Sequence, residues 1–199
     1  MYKRQDSNIQ TLDDLSGHTV SIGAEESGTE RNATQILEFA GMPSSLVATK
    51  NLDYIEATKE LKAGDIDAFF CTAGLTTTVI DEFSKECDIR LIPLTDTVIS
   101  KMLESSLAYT SEVIPAGTYT GQTTDISTIG VKSVLITKAD VSDDTIEQLT
   151  SLLFEKENEI SYSNSLKLEL TYDFATDDIP IPFHDGAKRY YKARGYSTN

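Results

Sequence analysis

Short apolar runs alternating with helical patterns of ten to twelve residues predict an α/β fold with a mainly parallel sheet. The alternation continues from Thr19 to Pro93. Two of the loops it creates, 23–29 and 72–74, are rich in small residues and hydroxyls. In open parallel sheets, loops at the carboxyl ends of strands are where ligands sit.

In chain order, residues 11–17 read as a single helical turn stopped by Gly17, feeding a strand at 19–22. The first full helix spans about 29–40. Ala33, Ile36, Leu37 and Ala40 recur at helical spacing, and Gly41 supplies the stop. A short strand is expected at 46–48. Asp53 three residues before Glu56 is a capping box and opens a helix that ends at Ala63-Gly64. The compact run Ile66, Ala68, Phe69, Phe70 and Cys71 reads as a buried strand, 75–83 as a helix, and Ile89, Leu91 and Ile92 as a strand closed by Pro93. An amphipathic helix follows over 95–105. From 109 to 128 the chain has little periodicity and is too long for a routine connection. Residues 130–137 read as a strong strand. Ser142 or Asp140 caps a helix carrying Ile146, Leu149, Leu152 and Leu153 on one stripe. Residues 161–176 fit no single pattern. Ile179-Pro180-Ile181-Pro182 is extended, because proline disfavours helix at the residue before it. Asp185 then opens a short basic helix through Arg194 that carries Tyr190 and Tyr191.

The 23–29 loop carries the clearest chemistry. Ser27 three residues before Glu30 is a capping-box pair, which places a helix N-terminus there. The unpaired N–H groups and partial positive charge of such an N-terminus suit a carboxylate or phosphate. Gly28 would let a ligand approach the backbone, and Ser27 and Thr29 offer hydroxyls. An ordinary strand-to-helix turn uses the same residues, so at this point both readings stand.

Composition narrows the function class. The 199 residues are 39% hydrophobic and 25% charged, which describes a globular protein. A net charge of −15 opposes nucleic-acid binding, which needs a basic surface. No apolar run is long enough to insert in a membrane. Cys71 and Cys87 are isolated and expected to serve as small hydrophobes. His18 and His184 lack metal-ligand spacing, and His184 with Asp185 reads as a contact at a helix start. No cofactor motif is present. An enzyme on this fold would need a nucleophile, base or cofactor anchor near the strand ends. Around 23–29 and 72–74 there are only Glu25, Glu26, Glu30 and hydroxyls, so a non-enzymatic role is expected.

Four motifs occur in order: Ser27-Gly28-Thr29-Glu30 with Asn32; Asp67-Ala68-Phe69-Phe70 with Thr72-Ala73-Gly74; Ile114-Pro115-Ala116-Gly117-Thr118-Tyr119 with Gly121-Gln122; and Ile179-Pro180-Ile181-Pro182 with His184 and Tyr190-Tyr191. Together they resemble the TAXI family, the extracytoplasmic solute-binding subunits of TRAP transporters. The resemblance implies a type II periplasmic-binding fold of two lobes that closes over a small carboxylate, glutamate-like or dicarboxylate. It implies delivery of that solute to TRAP membrane permease subunits, an extracytoplasmic or periplasmic location, no catalysis and no cofactor. The implied solute contacts are Ser27, Gly28, Thr29 and Asn32 on one loop, Thr72, Ala73 and Gly74 on the other, and Tyr119 from the connecting stretch. A ligand-sensing domain of the same fold, attached to a regulator, is the alternative.

The chain departs from that family in two ways. Glu25-Glu26 stands where small residues or proline are usual, and two carboxylates beside an anion site weaken it unless they point to solvent. A signal peptide and the first half of one lobe have no counterpart. The expectation is therefore an N-terminally truncated chain: 1–10 a non-native or linker segment, 11–107 a complete lobe, 108–129 an inter-lobe connection, and 130–199 part of the other lobe. Solute binding by such a chain is expected to be weak.

Overall fold

The computed structural model of the chain describes residues 2–4, 7–75, 77–155 and 170–198. Internal contacts divide the chain into two compact units, 1–130 and 131–199.

The first unit is an α/β fold on a five-stranded sheet. Its strands are β1 (Tyr2–Arg4), β2 (Thr19–Ser21), β3 (Ala48–Lys50), β4 (Ala68–Phe69) and β5 (Ile89–Leu91), in the order β3-β2-β4-β1-β5. β2 pairs in parallel with both β3 and β4, and β1 lies antiparallel between β4 and β5. β5 therefore runs in the same direction as β4, and four of these five strands are co-directional.

The sequence reading gives residues 1–10 no element, whereas Tyr2–Arg4 is a strand inside the sheet. Its partners, Ala68 and Phe69 on one side and 89–91 on the other, lie far away in the chain. Local pattern cannot reveal a pairing of that kind.

Helices cover both sheet faces, as a parallel sheet requires. On one face α1 (Gly28–Phe39) and α4 (Asp96–Ser105) bury Ala33, Ile36, Leu37, Val98, Ile99 and Met102 against Val20, Ile22, Ala68 and Phe70. On the other, α2 (Tyr54–Ala63) and α3 (Thr78–Glu86) bury Ala57, Leu61, Ile80 and Phe83 against Phe69, Ile89 and Leu91. The run 68–70 alternates between the two cores, and this is why it is apolar throughout.

The α2 start is a complete capping box: Asp53 Oδ1 accepts the Glu56 N–H at 2.8 Å, and the Asp53 N–H donates to Glu56 Oε2 at 3.2 Å. The box at α1 is half of what Ser27 and Glu30 suggest. Ser27 Oγ accepts the Glu30 N–H at 3.1 Å, but the Glu30 carboxylate takes the N–H of Glu26, not that of Ser27. The Ser27 N–H is already committed to the Ala24 carbonyl at 3.1 Å.

The stretch 108–129, expected as a connection, contains most of a two-stranded ribbon, β6 (Tyr109–Ile114) with β7 (Ile126–Val131). Ile126 and Tyr119 join the second core cluster, and the Leu94 N–H donates to the Ser127 carbonyl at 2.9 Å. The strand expected at 130–137 lies earlier, at Ile126–Val131. Leu135 and Ile136, at the centre of the expected strand, are exposed and unassigned to any sheet. Alternating polar residues at 126–131 conceal a strand that pairs in a ribbon rather than in a buried sheet.

The second unit packs α5 (Asp143–Glu155), α6 (Tyr172–Thr176) and α7 (Asp185–Lys192). Ser142 Oγ accepts the Thr145 N–H at the start of α5. His184 caps α7 through Nδ1, which accepts the Gly186 N–H at 3.1 Å, so it is indeed a contact at a helix start. Tyr190 and Tyr191 pack within this unit: Phe154 stacks on Tyr190 with ring centroids 5.6 Å apart, and Phe183 meets Tyr191 edge-on at 5.7 Å. The Arg194 guanidinium lies over the Tyr190 ring at 3.6 Å. The indeterminate 161–169 stretch lies outside the described residues.

Because Phe69 is completely buried where β4 meets the second core, Phe69→Ala is expected to cost about 3–5 kcal/mol in urea unfolding. Ile55→Ala, on the exposed side of α2, should change stability by no more than about 0.5 kcal/mol.

Candidate functional site

Adjacent strands β2 and β4 send their following helices to opposite faces of the sheet, α1 to one and α3 to the other. This is a topological switch point, where diverging loops leave a crevice at the carboxyl ends of the strands. The two loops singled out from sequence, 23–29 and 72–74, are the ones that diverge there.

Gly23 begins the first loop at φ 101°. A Cβ at this position would come within 2.7 Å of Thr29 Cβ, so only glycine lets the loop fold onto the start of α1. Glu26 follows at φ 61°, in the left-handed region, with its N–H donating to Glu30 Oε2 at 2.6 Å. The other Glu30 oxygen accepts from Asn51 Nδ2 at 2.8 Å, and Asn51 also donates to the Gly23 carbonyl at 3.1 Å. Both oxygens of the carboxylate nearest the helix start are thus engaged. Glu25 and Glu26 are exposed, which meets the condition that their charges point to solvent.

A hydrogen-bond chain joins this loop to the second. The Tyr54 hydroxyl, on the first residue of α2, donates to the Thr72 carbonyl at 2.8 Å and accepts the Thr72 N–H at 3.2 Å. Its single hydrogen being used, the contact of 2.7 Å with Thr29 Oγ1 has Thr29 as donor. Asn32 Nδ2 donates to Thr72 Oγ1 at 3.2 Å, and Asn32 Oδ1 accepts from the Tyr109 hydroxyl at 2.8 Å.

Ser27, Gly28, Thr29, Asn32 and Thr72 are therefore brought together, with Ala73 and Gly74 exposed beside Thr72. Tyr119 is not brought to them. It is 4% exposed and belongs to the second core cluster. Sequence reasoning missed Tyr54 and Tyr109. The Asp53 capping box marks Tyr54 as a helix start, but its bonds to Thr29 and Thr72 span 25 and 18 residues. No local signal marks Tyr109.

The network determines what remains for a ligand. The N–H groups of Gly28 and Thr29, in the first turn of α1, have no acceptor among the described residues. The hydroxyl hydrogens of Ser27 and Thr72 and the second amide hydrogen of Asn32 are likewise uncommitted there, while the oxygens of these three side chains already accept bonds. These are the uncommitted donors at the crevice. Along the exposed side of α1 an open groove is lined by Glu26, Ser27, Glu30, Arg31, Thr34, Gln35 and Glu38. Arg31 makes no ion pair within 4.0 Å among the described residues.

Burial pushes the Tyr54 hydroxyl above its ordinary value and the Cys71 thiol up to about 11. Cys71, the residue before Thr72, is thus a protonated thiol packed at the edge of the second core. Among the described residues no group of three or more His, Cys, Asp or Glu could hold a metal ion. Among them, too, no helix is long and apolar enough to cross a membrane.

The profile of the NMT1-like family matches residues 1–195. The chain belongs to the NMT1-like family. Among solved structures it is similar to the periplasmic aliphatic sulphonate binding protein SsuA from Escherichia coli, at 16% identity and a TM-score of 0.47 over 79% of this chain and 43% of that one. It is also similar to an ancestral arginine-binding protein bound to glutamine, at 16% identity and a TM-score of 0.40 over 87% of this chain and 57% of that one. The NMT1-like chain spans about half the length of these two structures.

With Cys87 replaced by serine, Cys71 is expected to react with iodoacetamide at pH 8 about two orders of magnitude more slowly in the folded chain than in urea, following its thiolate fraction. Equal rates in the two conditions would contradict a buried, protonated thiol.

Proposed function

We propose that this NMT1-like chain carries half of a clamp for a small carboxylate and acts by binding, without chemistry. The observation that carries the reading is the set of uncommitted donors at the switch point: Ser27, Gly28, Thr29 and Asn32 at the start of α1, facing Thr72 with Ala73 and Gly74. A carboxylate is an acceptor-only group, and these N–H, amide and hydroxyl groups each have a hydrogen to offer it. The α1 N-terminus adds about 0.3–1 kcal/mol for an exposed anion and up to about 2 when partly buried. Each charge-assisted hydrogen bond contributes about 1.5–3 kcal/mol. Three or four of them, after the cost of association, reach about micromolar affinity in a closed cleft. Arg31 is exposed in the groove beside Ser27. Burial holds the Cys71 thiol protonated, and two donors engage the Glu30 carboxylate, which supports binding without chemistry.

The solute class is glutamate-like or dicarboxylate. The biological setting that fits the four ordered motifs is a TAXI-type, extracytoplasmic solute-binding subunit that hands its ligand to TRAP permease subunits. Membership of the NMT1-like family is compatible with that setting and is broader than it.

The test is an NMR titration of the ¹⁵N-labelled chain with L-glutamate, 2-oxoglutarate and succinate at up to millimolar concentration. Saturable shifts centred on the Gly28, Thr29 and Thr72 amides are expected for at least one of the three. Thr72→Val should weaken that binding about 10-fold or more through loss of one charge-assisted bond. Absence of saturable shifts at these amides with all three compounds would sink the reading.

A further inference from the structure

The Thr72 loop begins three residues beyond the end of β4 at Phe69, so the sheet ladder no longer holds it. Both backbone groups of Thr72 instead meet one atom, the Tyr54 hydroxyl oxygen, at 2.8 and 3.2 Å. The same oxygen accepts the Thr29 hydroxyl at 2.7 Å from the first turn of α1. One phenol therefore ties together two loops that leave neighbouring strands toward opposite faces of the sheet. The phenol is itself fixed from below. The Asp53–Glu56 box sets the first turn of α2, where Tyr54 is the first residue, and Ala57, one turn on, is buried in the second core. Burial also keeps the phenol protonated, so its hydrogen stays available to the Thr72 carbonyl at neutral pH.

We infer that Tyr54 is a positioning residue: through its hydroxyl it sets the distance between the Thr72 hydroxyl and the free N–H groups of α1. Tyr54 spends all of its hydrogen-bonding capacity on protein groups and offers nothing to a ligand. Its contribution is the spacing of the donors. The loop-holding part of this inference stands without any ligand. The consequence for affinity rests on the carboxylate-binding reading given above.

Tyr54→Phe removes the hydroxyl and keeps the ring, and amide hydrogen exchange in the full chain reads the result. In the ligand-free protein the Thr72 amide should exchange about 10-fold faster, with the Val20 and Phe69 amides in the sheet unchanged, as expected for local rather than global opening. In the L-glutamate titration the variant should bind about 10-fold more weakly. An unchanged Thr72 rate overturns the inference, and so does equal acceleration at Thr72, Val20 and Phe69, which would mark general loosening. If the unsubstituted chain takes up no glutamate, the carboxylate reading loses its support on that arm, while the exchange rates still decide whether Tyr54 holds the loop. If exchange is unchanged and glutamate binds both proteins equally, Tyr54 alone is dismissed and the binding reading stands.

Discussion

The first unit depends on the parallel pairing of β2 with β4, Val20 opposite Ala68 and Ser21 opposite Phe69. This register sets the carboxyl ends of two strands side by side although they are separated by a helix, a strand and a second helix in the chain. The helices that follow them pack on opposite faces, so the loops must part. Each half of the site is thus a by-product of burying apolar surface: α1 closes over Val20 and Ile22, α3 over Phe69. Moving either helix to the other face would fill the crevice. The chemistry at the strand ends follows from that packing, since α1 starts where its apolar stripe requires and leaves its first N–H groups unpaired at the opening.

Within the crevice, hydrogen-bond saturation decides polarity. Tyr54, Asn51 and Tyr109 are not candidate ligand contacts, yet they determine what the candidates can do. Asn51 and the Glu26 N–H absorb the Glu30 carboxylate, which would otherwise occupy the helix dipole. Tyr109 shares its hydroxyl hydrogen between Asn32 Oδ1 and Gln35 Oε1, and Asn32 occupies an acceptor site on Thr72 Oγ1. Each of these bonds uses one lone pair of an oxygen at the opening. A site rich in serine, threonine and asparagine can recognise either donors or acceptors. The partners behind them take up part of the acceptor capacity, and it is on this that the carboxylate proposal draws.

What was legible in the sequence follows the range of the interactions. The α1, α2 and α4 boundaries come from caps and apolar stripes within a few residues, and they agree with the structure to within one or two positions. The 23–29 and 72–74 loops were visible because small residues and hydroxyls follow apolar runs. The failures are long-range. β1 needs partners more than sixty residues away, and the β6–β7 ribbon alternates too weakly to stand out beside the apolar run at 134–136. Leu135 and Ile136 are exposed, and among the described residues this strong β pattern belongs to no sheet. Tyr119 sits in a motif with glycine and threonine that suggests a ligand contact, but burial makes it a core residue. Tyr54 was passed over for the opposite reason: its neighbourhood reads only as a helix start, and its function is visible only once Thr29 and Thr72 are seen to converge on it.

A net charge of −15 opposes the holding of an anion at long range. The geometry separates the two scales on which charge acts. Most of the acidic surface acts over distances comparable with the screening length, about 8–10 Å at physiological salt, and is attenuated accordingly. Hydrogen bonds from Gly28, Thr29, Ser27 and Thr72 would act at about 3 Å, where screening does not reach. They are also made by neutral groups, whose desolvation costs far less than that of a buried cation. The nearby carboxylates are either exposed, as at Glu25 and Glu26, or hydrogen-bonded by two donors, as at Glu30. Recognition by dipoles therefore fits this chain better than recognition by a buried guanidinium, which would be drawn into pairing with the many surrounding carboxylates. Arg31 is exposed in the groove along α1, beside Glu26, Glu30 and Glu38, and so adds little fixed positive charge to the crevice itself.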